Sequence, residues 1–365
     1  MAEYDLAIIG AGMAGASLAA EIAPHTRVLL LEGEDAPGYH TTGRSAAFWE
    51  ECYGGPELVP LSRASETYLR DGGFLSPRGA LYIGRDEDAG KLDAFAARFA
   101  DSGARFDRLP TGAARDYVAA LRPEWCEAIW QPHCADIDVA GLHQHYLKAA
   151  KQAGAQLEVR ALVQSLDREG EGWVIRCADG REWRARAIIN AAGAWADTLA
   201  GMAGARPLGI QPLQRTMLQL SVEPPLPRDG PLTLDISCRF YFKPENGGSL
   251  WFSPHDETPV PPADVAPEEL TVAQAIDRFG GVVEANIRKV ERTWAGLRSF
   301  APDRKPVYGW DPQLPGFFWF AGQGGFGIQT APAAARLASQ LFLGMPRDAM
   351  TQGLDERSFS PARFG

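Results

Sequence analysis

Residues 4–32 read YDLAIIGAGMAGASLAAEIAPHTRVLLLE. Tyr4–Ile9 is a mostly apolar run that predicts a buried strand. Gly10–Gly15 follows as GAGMAG, Ala14–Ile22 predicts a helix, and Arg27–Leu31 predicts a second strand that ends at Glu32. The unit is strand–helix–strand, with Gly10, Gly12 and Gly15 at the G-x-G-x-x-G spacing. Gly10 allows the tight turn, Gly12 lets backbone approach a pyrophosphate, and Gly15 lets helix and strand pack closely. Met13 and Ala14 open the helix, whose free N–H groups and positive dipole end favour phosphate. Glu32, 22 residues after Gly10, stands where a carboxylate accepts bonds from ribose hydroxyls. A carboxylate there disfavours a 2′-phosphate, so NADP is set aside and NAD and FAD remain.

The rest of the composition narrows the class. The 365 residues are 45% hydrophobic and 22% charged, enough for one large domain or two coupled ones. Net charge is −10, and no run of five Lys or Arg occurs, which argues against nucleic acid and anionic membranes as partners. Five cysteines without a CxxC pair fit a reduced compartment, and the immediate entry into a strand, without a leader, fits a cytoplasmic protein. No apolar run reaches the roughly 18–20 residues of a membrane helix. The six histidines, including His143 and His145, lack metal-ligand spacing and read as surface groups; no metal is expected.

Further along, residues 57–71, 89–104, 111–121, 137–153 and 269–285 carry helical periodicity. Residues 155–190, 214–222 and 238–253 read as strands, and proline-rich loops lie between 223 and 268. Three stretches favour FAD over NAD. HTTGRSAAFWEECYG (40–54) offers Gly43, Arg44, Ser45, Ala46 and Ala47, small residues suited to close approach by a flavin ring, though it also reads as an ordinary helix start. AIINAAGAWAD (187–197) is an apolar strand ending in small residues that can return beside the first glycine loop. FAGQGGFGIQTAP (320–332) places Gly324, Gly325 and Gly327 before a helix expected from about Ile328, whose N-terminus could stabilise charge on a reduced flavin.

PGYHTTGRSAA, ADIDVAGLHQHYL, NAAGAW, RFYFKP, TWAGLRSF and QGGFGIQT, in this order, resemble the D-amino acid oxidase family of FAD-dependent amine oxidoreductases, and look most like its bacterial D-arginine dehydrogenases. The resemblance covers nearly the whole chain. It implies an α/β fold: a discontinuous Rossmann-type FAD domain (1–78, 133–213, 300–350), a substrate domain with a mixed or antiparallel sheet (79–132, 214–299), and a loose tail (351–365). It implies non-covalent FAD, with Val163, Ala192, Gly193, Trp195, Gln329 and Thr330 joining the loops above, and oxidation of an amino acid to its imino acid. Oxygen, a quinone or another acceptor would take the electrons.

The same resemblance gives site residues. Arg298 is expected to hold the substrate carboxylate as a bidentate fork, unless it pairs internally with Asp303 or another acid. Tyr241 would hydrogen-bond that carboxylate and Tyr53 would cover the site. Arg215 is a second pocket arginine or an exposed strand residue, and Gly325 would offer its carbonyl to the amine. Glu50 and Glu51 are either bases or solvated loop charges. Two departures stand out. Ala80 lies at or near the place of a glutamate that grips guanidinium in the D-arginine enzymes, and Phe48 replaces their histidine. A neutral or hydrophobic D-amino acid fits such a pocket better, unless Glu50 replaces the lost carboxylate. Rival readings are a glycine- or sarcosine-type amine oxidase, an NAD dehydrogenase, and a flavin-binding subunit without turnover of its own.

Overall fold

The computed structural model describes residues 3–365. Five parallel strands form the centre of one sheet, in the order Gln156–Glu158, Val28–Leu31, Tyr4–Ile9, Glu182–Asn190, Phe317–Ala321. Ile8 stands between Leu30 and Ile189, so the apolar runs of three distant segments meet in register. Parallel strands are covered on both faces, which is why these runs are continuously apolar rather than alternating. Leu18 and Ile22 of helix Met13–Ile22 and Leu337 of helix Ala331–Leu343 pack with Leu6 and Ile8 on one face. Leu199 and Ala200 of helix Ala196–Ala203 join Ala7, Leu29 and Ile188 on the other. A hairpin, Val163–Glu169 with Gly172–Cys177, extends the edge beside Glu182–Asn190. The fold is α/β with a Rossmann-type domain assembled from separated segments.

The second sheet has nine strands and is mixed: Leu232–Asp235 runs parallel to Ala80–Gly84, while the other pairs are antiparallel. Its backbone is the long pair Gln211–Glu223 with Asn286–Phe300. Leu218, Phe242 and Phe252 point to one face and pack with Ala275 and Phe279 of helix Glu269–Gly280. The alternate residues, Arg215, Met217, Tyr241 and Arg298, take the opposite face by the two-residue period of a strand. That face looks toward the glycine loops.

Several elements differ from expectation. The helix expected over 111–121 shrinks to Ala114–Tyr117, because Val118 and Leu121 turn into the core and Leu121 bridges to Val283. The helix expected to reach 285 ends at Gly280, where Gly281 follows without a side chain to favour continuation. The last helix begins at Ala331, not near Ile328, after a turn stabilised by Thr330 N–H to Phe326 O. The tail is not loose: Phe359 is buried against Tyr308, and Arg363 pairs with Asp303.

Candidate active site

The glycine loop is sterically determined. Gly10 has φ +102°, and a Cβ there would come 2.5 Å from Ala191 O. A Cβ on Gly15 would come 1.8 Å from Gly10 O, so Gly15 acts through packing and does not line the cavity. Gly12, Met13, Ala14 and Gly10 line it, beside Glu32 at its far end. Glu32 accepts hydrogen bonds from the N–H of Ala11 and of Glu34, both at 3.0 Å. Thr42 Oγ1 accepts from Met13 N–H at 2.9 Å and caps the loop from another segment. His143 is not a surface group: it is buried, and its Nε2–H donates to Ala11 O at 2.8 Å. Burial holds its pKa below the ordinary histidine value.

The same cavity runs on past Arg44, Ser45, Ala46, Ala47 and Phe48, past Ala192, Gly193 and Trp195, and ends among Gly324, Gly325, Gly327 and Ile328. Arg44 lines it without aiming its charge at it. Its guanidinium turns away to Asp264 and to the carbonyls of Val265 and Ala295. Besides Gly15, four expected cofactor residues lie off the cavity wall. Gly43 closes a turn with Gly38 O. Val163 packs in the core with Leu31 and Ala161. Thr330 is buried with its hydroxyl on Phe326 O. Gln329 clasps Glu50: its Oε1 accepts from Glu50 N–H and its Nε2 donates to Glu50 O, both at 3.1 Å.

Glu50 and Glu51 are not solvated. Glu51 is buried against Arg105. Glu50 is fully buried behind the wall, where Tyr82 Oη donates to it at 2.9 Å and Cys52 N–H at 2.8 Å. Burial pushes its pKa up to about 7. It does not line the cavity and therefore does not stand in for a missing substrate-gripping carboxylate. Ala80 is buried in one apolar cluster with Phe48 and Tyr241, which line the cavity there.

Two arginines, Arg215 and Arg298, also line the cavity. Arg215 lies opposite Gly296 and Arg298 opposite Leu213, which makes them diagonal neighbours on one face. Arg298 Nη1 donates to Tyr53 Oη at 2.9 Å and Nη2 to Glu257 at 2.6 Å. Its internal partner is Glu257, while Asp303 binds Arg363 and Lys305. Burial pulls Arg298 toward neutrality, but Tyr53 and Glu257 outweigh it, and the guanidinium is held above its ordinary value. Arg215 is buried, not exposed; its Nε donates to Asp256 O at 2.9 Å. Burial, then repulsion from Arg298, lowers its pKa. With both Nη groups of Arg298 engaged, the simple fork is not free. Among the described residues, Arg298 Nε and Arg215 Nη2, with His255 Nδ1 beside them, are buried atoms of this group that make no hydrogen bond, and Arg215 Nη2 stands 3.5 Å from Glu257. Tyr241 Oη rests on the weak acceptor Met217 Sδ at 3.1 Å, ready for a better partner. Gly325 is required here, since a Cβ would stand 2.0 Å from Tyr53 Oη.

Met217, Asp256 and Glu257 went unnoticed in the sequence, and His255, counted among the surface histidines, is largely buried against the Tyr241 ring. The alternation Leu213, Arg215, Met217 could have placed Met217 on the arginine face. Nothing in SPHDETP marks its acids as partners of a strand more than thirty residues away.

A dinucleotide fits this cavity. The glycines leave space that a Cβ would fill, a helix N-terminus and a carboxylate stand at one end, and buried cationic donors at the other. The chain matches the FAD dependent oxidoreductase (DAO) family model over residues 5–341 and belongs to that family. Its cofactor is FAD. Among its relatives, hydrogen cyanide synthase subunit HcnC of Pseudomonas aeruginosa is 30% identical over 220 residues, 60% of this chain and 50% of that protein. The chain spans about half the length of the first curated relatives it matches. Glycine oxidase of Geobacillus kaustophilus is 25% identical over 359 residues, 93% of this chain and 92% of that protein. Its crystal structure has a TM-score of 0.84 at 24% identity, covering 99% of this chain and 98% of that one. L-proline dehydrogenase from P. horikoshii has a TM-score of 0.85 at 22% identity, covering 100% and 98%. Both share the fold. Among the described residues no helix is long and apolar enough to cross a membrane.

Proposed function

We propose that this FAD-dependent oxidoreductase oxidises a small neutral or apolar amino acid, the D-isomer, to the imino acid. The observation that carries the reading is a buried cationic clamp, Arg298 with Arg215, beside Tyr53, Tyr241 and Gly325 on the wall of the cofactor cavity. Bound FAD supplies the hydride acceptor. The chain binds and orients. One carboxylate oxygen takes the free donor of Arg298 and the other that of Arg215, with the Tyr241 hydroxyl turning from Met217 to join them. The Gly325 carbonyl accepts from an N–H of the amine and orients it, and the substrate reacts with its amine neutral, so that the nitrogen lone pair assists loss of hydride from Cα. Phe48, Met217 and Tyr241 offer a side chain apolar surface and no counter-charge. Burial of the clamp excludes water and strengthens its hold on the carboxylate.

A second reading has its own support. The full-length likeness to a glycine oxidase favours glycine or a secondary amine such as sarcosine on the same clamp. Anaerobic addition of D-amino acids, L-amino acids, glycine and sarcosine, following the flavin absorbance, separates the two. Bleaching by D-alanine or D-valine, lost in Arg298→Met, supports the first. Bleaching by glycine and sarcosine alone supports the second. A flavin that no amine reduces, as in a subunit without turnover, overturns both.

A further inference from the structure

One carboxylate, Glu257, sits among three guanidiniums: 2.6 Å from Arg298, 2.9 Å from Arg304 and 3.5 Å from Arg215. It lies behind the clamp rather than on the cavity wall, and a third of its side chain is exposed. Asp256, anchored on Thr216 N–H and Oγ1, is the other acid, 3.8 Å from Arg215. His255 touches the Tyr241 ring and stays neutral, because burial and the three arginines drive its pKa down to about 2. Three cations against two anions leave the group one positive charge in excess. The backbone is specialised here too: His255 and Arg304 hold positive φ, at 57° and 62°, two of four non-glycine residues that do so among the described residues. Such conformations persist where surrounding contacts over-determine them.

We propose that Glu257 is a specificity-determining positioning residue, which orients Arg298 and sets the charge of the clamp so that it accepts a substrate with a single carboxylate and disfavours one with two. The inference rests on the carboxylate clamp of the proposed function. One substrate carboxylate with a neutral amine brings the group to neutrality. A second would be desolvated against Phe48, Met217 and Tyr241 without a free cation, which is unfavourable. Replacing Glu257 by the isosteric, uncharged glutamine raises the excess to two. At a partly exposed position this change is worth about fivefold to tenfold between a mono- and a dianion.

The test uses FAD-loaded wild type, Glu257→Gln and Glu257→Asp. Calorimetric titration with acetate and with malonate reads the clamp without turnover, and anaerobic flavin reduction by D-alanine and D-aspartate reads it with turnover. In Glu257→Gln the malonate-to-acetate affinity ratio rises about fivefold to tenfold, and the D-aspartate-to-D-alanine KM ratio falls correspondingly. Glu257→Asp, which keeps the charge, keeps the wild-type ratio. A ratio within about twofold of wild type in a folded, FAD-loaded Glu257→Gln overturns the inference. So does a shift of equal size in Glu257→Asp, or a loss confined to cationic substrates, which would make Glu257 a direct substrate contact. If no amine reduces the flavin while the anion ratio still shifts, the proposed reaction fails and the charge rule stands.

Discussion

Arg298 and Tyr53, 245 residues apart, are joined by a 2.9 Å hydrogen bond on the wall of the cofactor cavity. The bond ties the long strand Asn286–Phe300 of one sheet to the loop after Phe48–Trp49, so the clamp and its cover are one unit. Gly325 fits between them because it has no side chain.

Removing that hydroxyl tests the unit most gently. Tyr53→Phe loses one hydrogen bond to a charged group, worth about 1.5–3 kcal/mol at most. The expected outcome is a KM rise of about tenfold for carboxylate-bearing substrates, with a smaller change in the rate of flavin reduction. Stopped-flow reduction over a range of substrate concentrations separates the two terms; a rise confined to the rate constant would contradict a role in binding.

Arg298→Met removes the buried cation and leaves Glu257 facing only Arg304 and Arg215. Truncating one member of a buried charge pair costs about 2–5 kcal/mol, so kcat/KM is expected to fall by about two to three orders of magnitude. FAD content is expected to stay at the wild-type level. Arg298→Lys, with a point charge in place of the fork, is expected to recover only a small part.

Gly10→Ala meets Ala191 O at 2.5 Å with a backbone φ that alanine rarely adopts. The variant is expected to purify with little flavin, read as the ratio of flavin to protein absorbance. Gly325→Ala is expected to keep its flavin and lose turnover, since its Cβ collides with Tyr53 Oη rather than with the dinucleotide loop.

Glu50 makes a pH prediction. Its folded pKa, about 7, lies above the ordinary 4.5, so the folded state retains a proton that the unfolded state releases. Stability from this group is full below about pH 4.5 and declines as pH rises through 7, by up to about 3 kcal/mol. Glu50→Gln removes the titration. Thermal unfolding of both proteins from pH 4.5 to 8 is expected to show wild type losing ground steadily to the variant; parallel curves would mean that Glu50 does not titrate in this range.

The first strand–helix–strand unit was legible because its cause is local. Gly10 and Gly15 are required by contacts within the turn and with the strand it adjoins, and apolar runs such as Tyr4–Ile9 mark parallel strands covered on both faces. The resemblance carried by RFYFKP and TWAGLRSF named Tyr241 and Arg298, and strand alternation places both on the same face. The tail misled, because a short segment without periodicity gives no sign that Phe359 will be buried on Tyr308.

By itself, then, the sequence determined the dinucleotide-binding unit and the family, since each depends on residue types at short spacing. Tertiary structure alone decided the partners. It put Glu257 on Arg298, buried Glu50 behind the wall on Tyr82, and drew His143 under the glycine loop. A charged side chain's behaviour depends on burial and on the charges within a few ångströms, and those neighbours come from segments brought together only when the two sheets face each other.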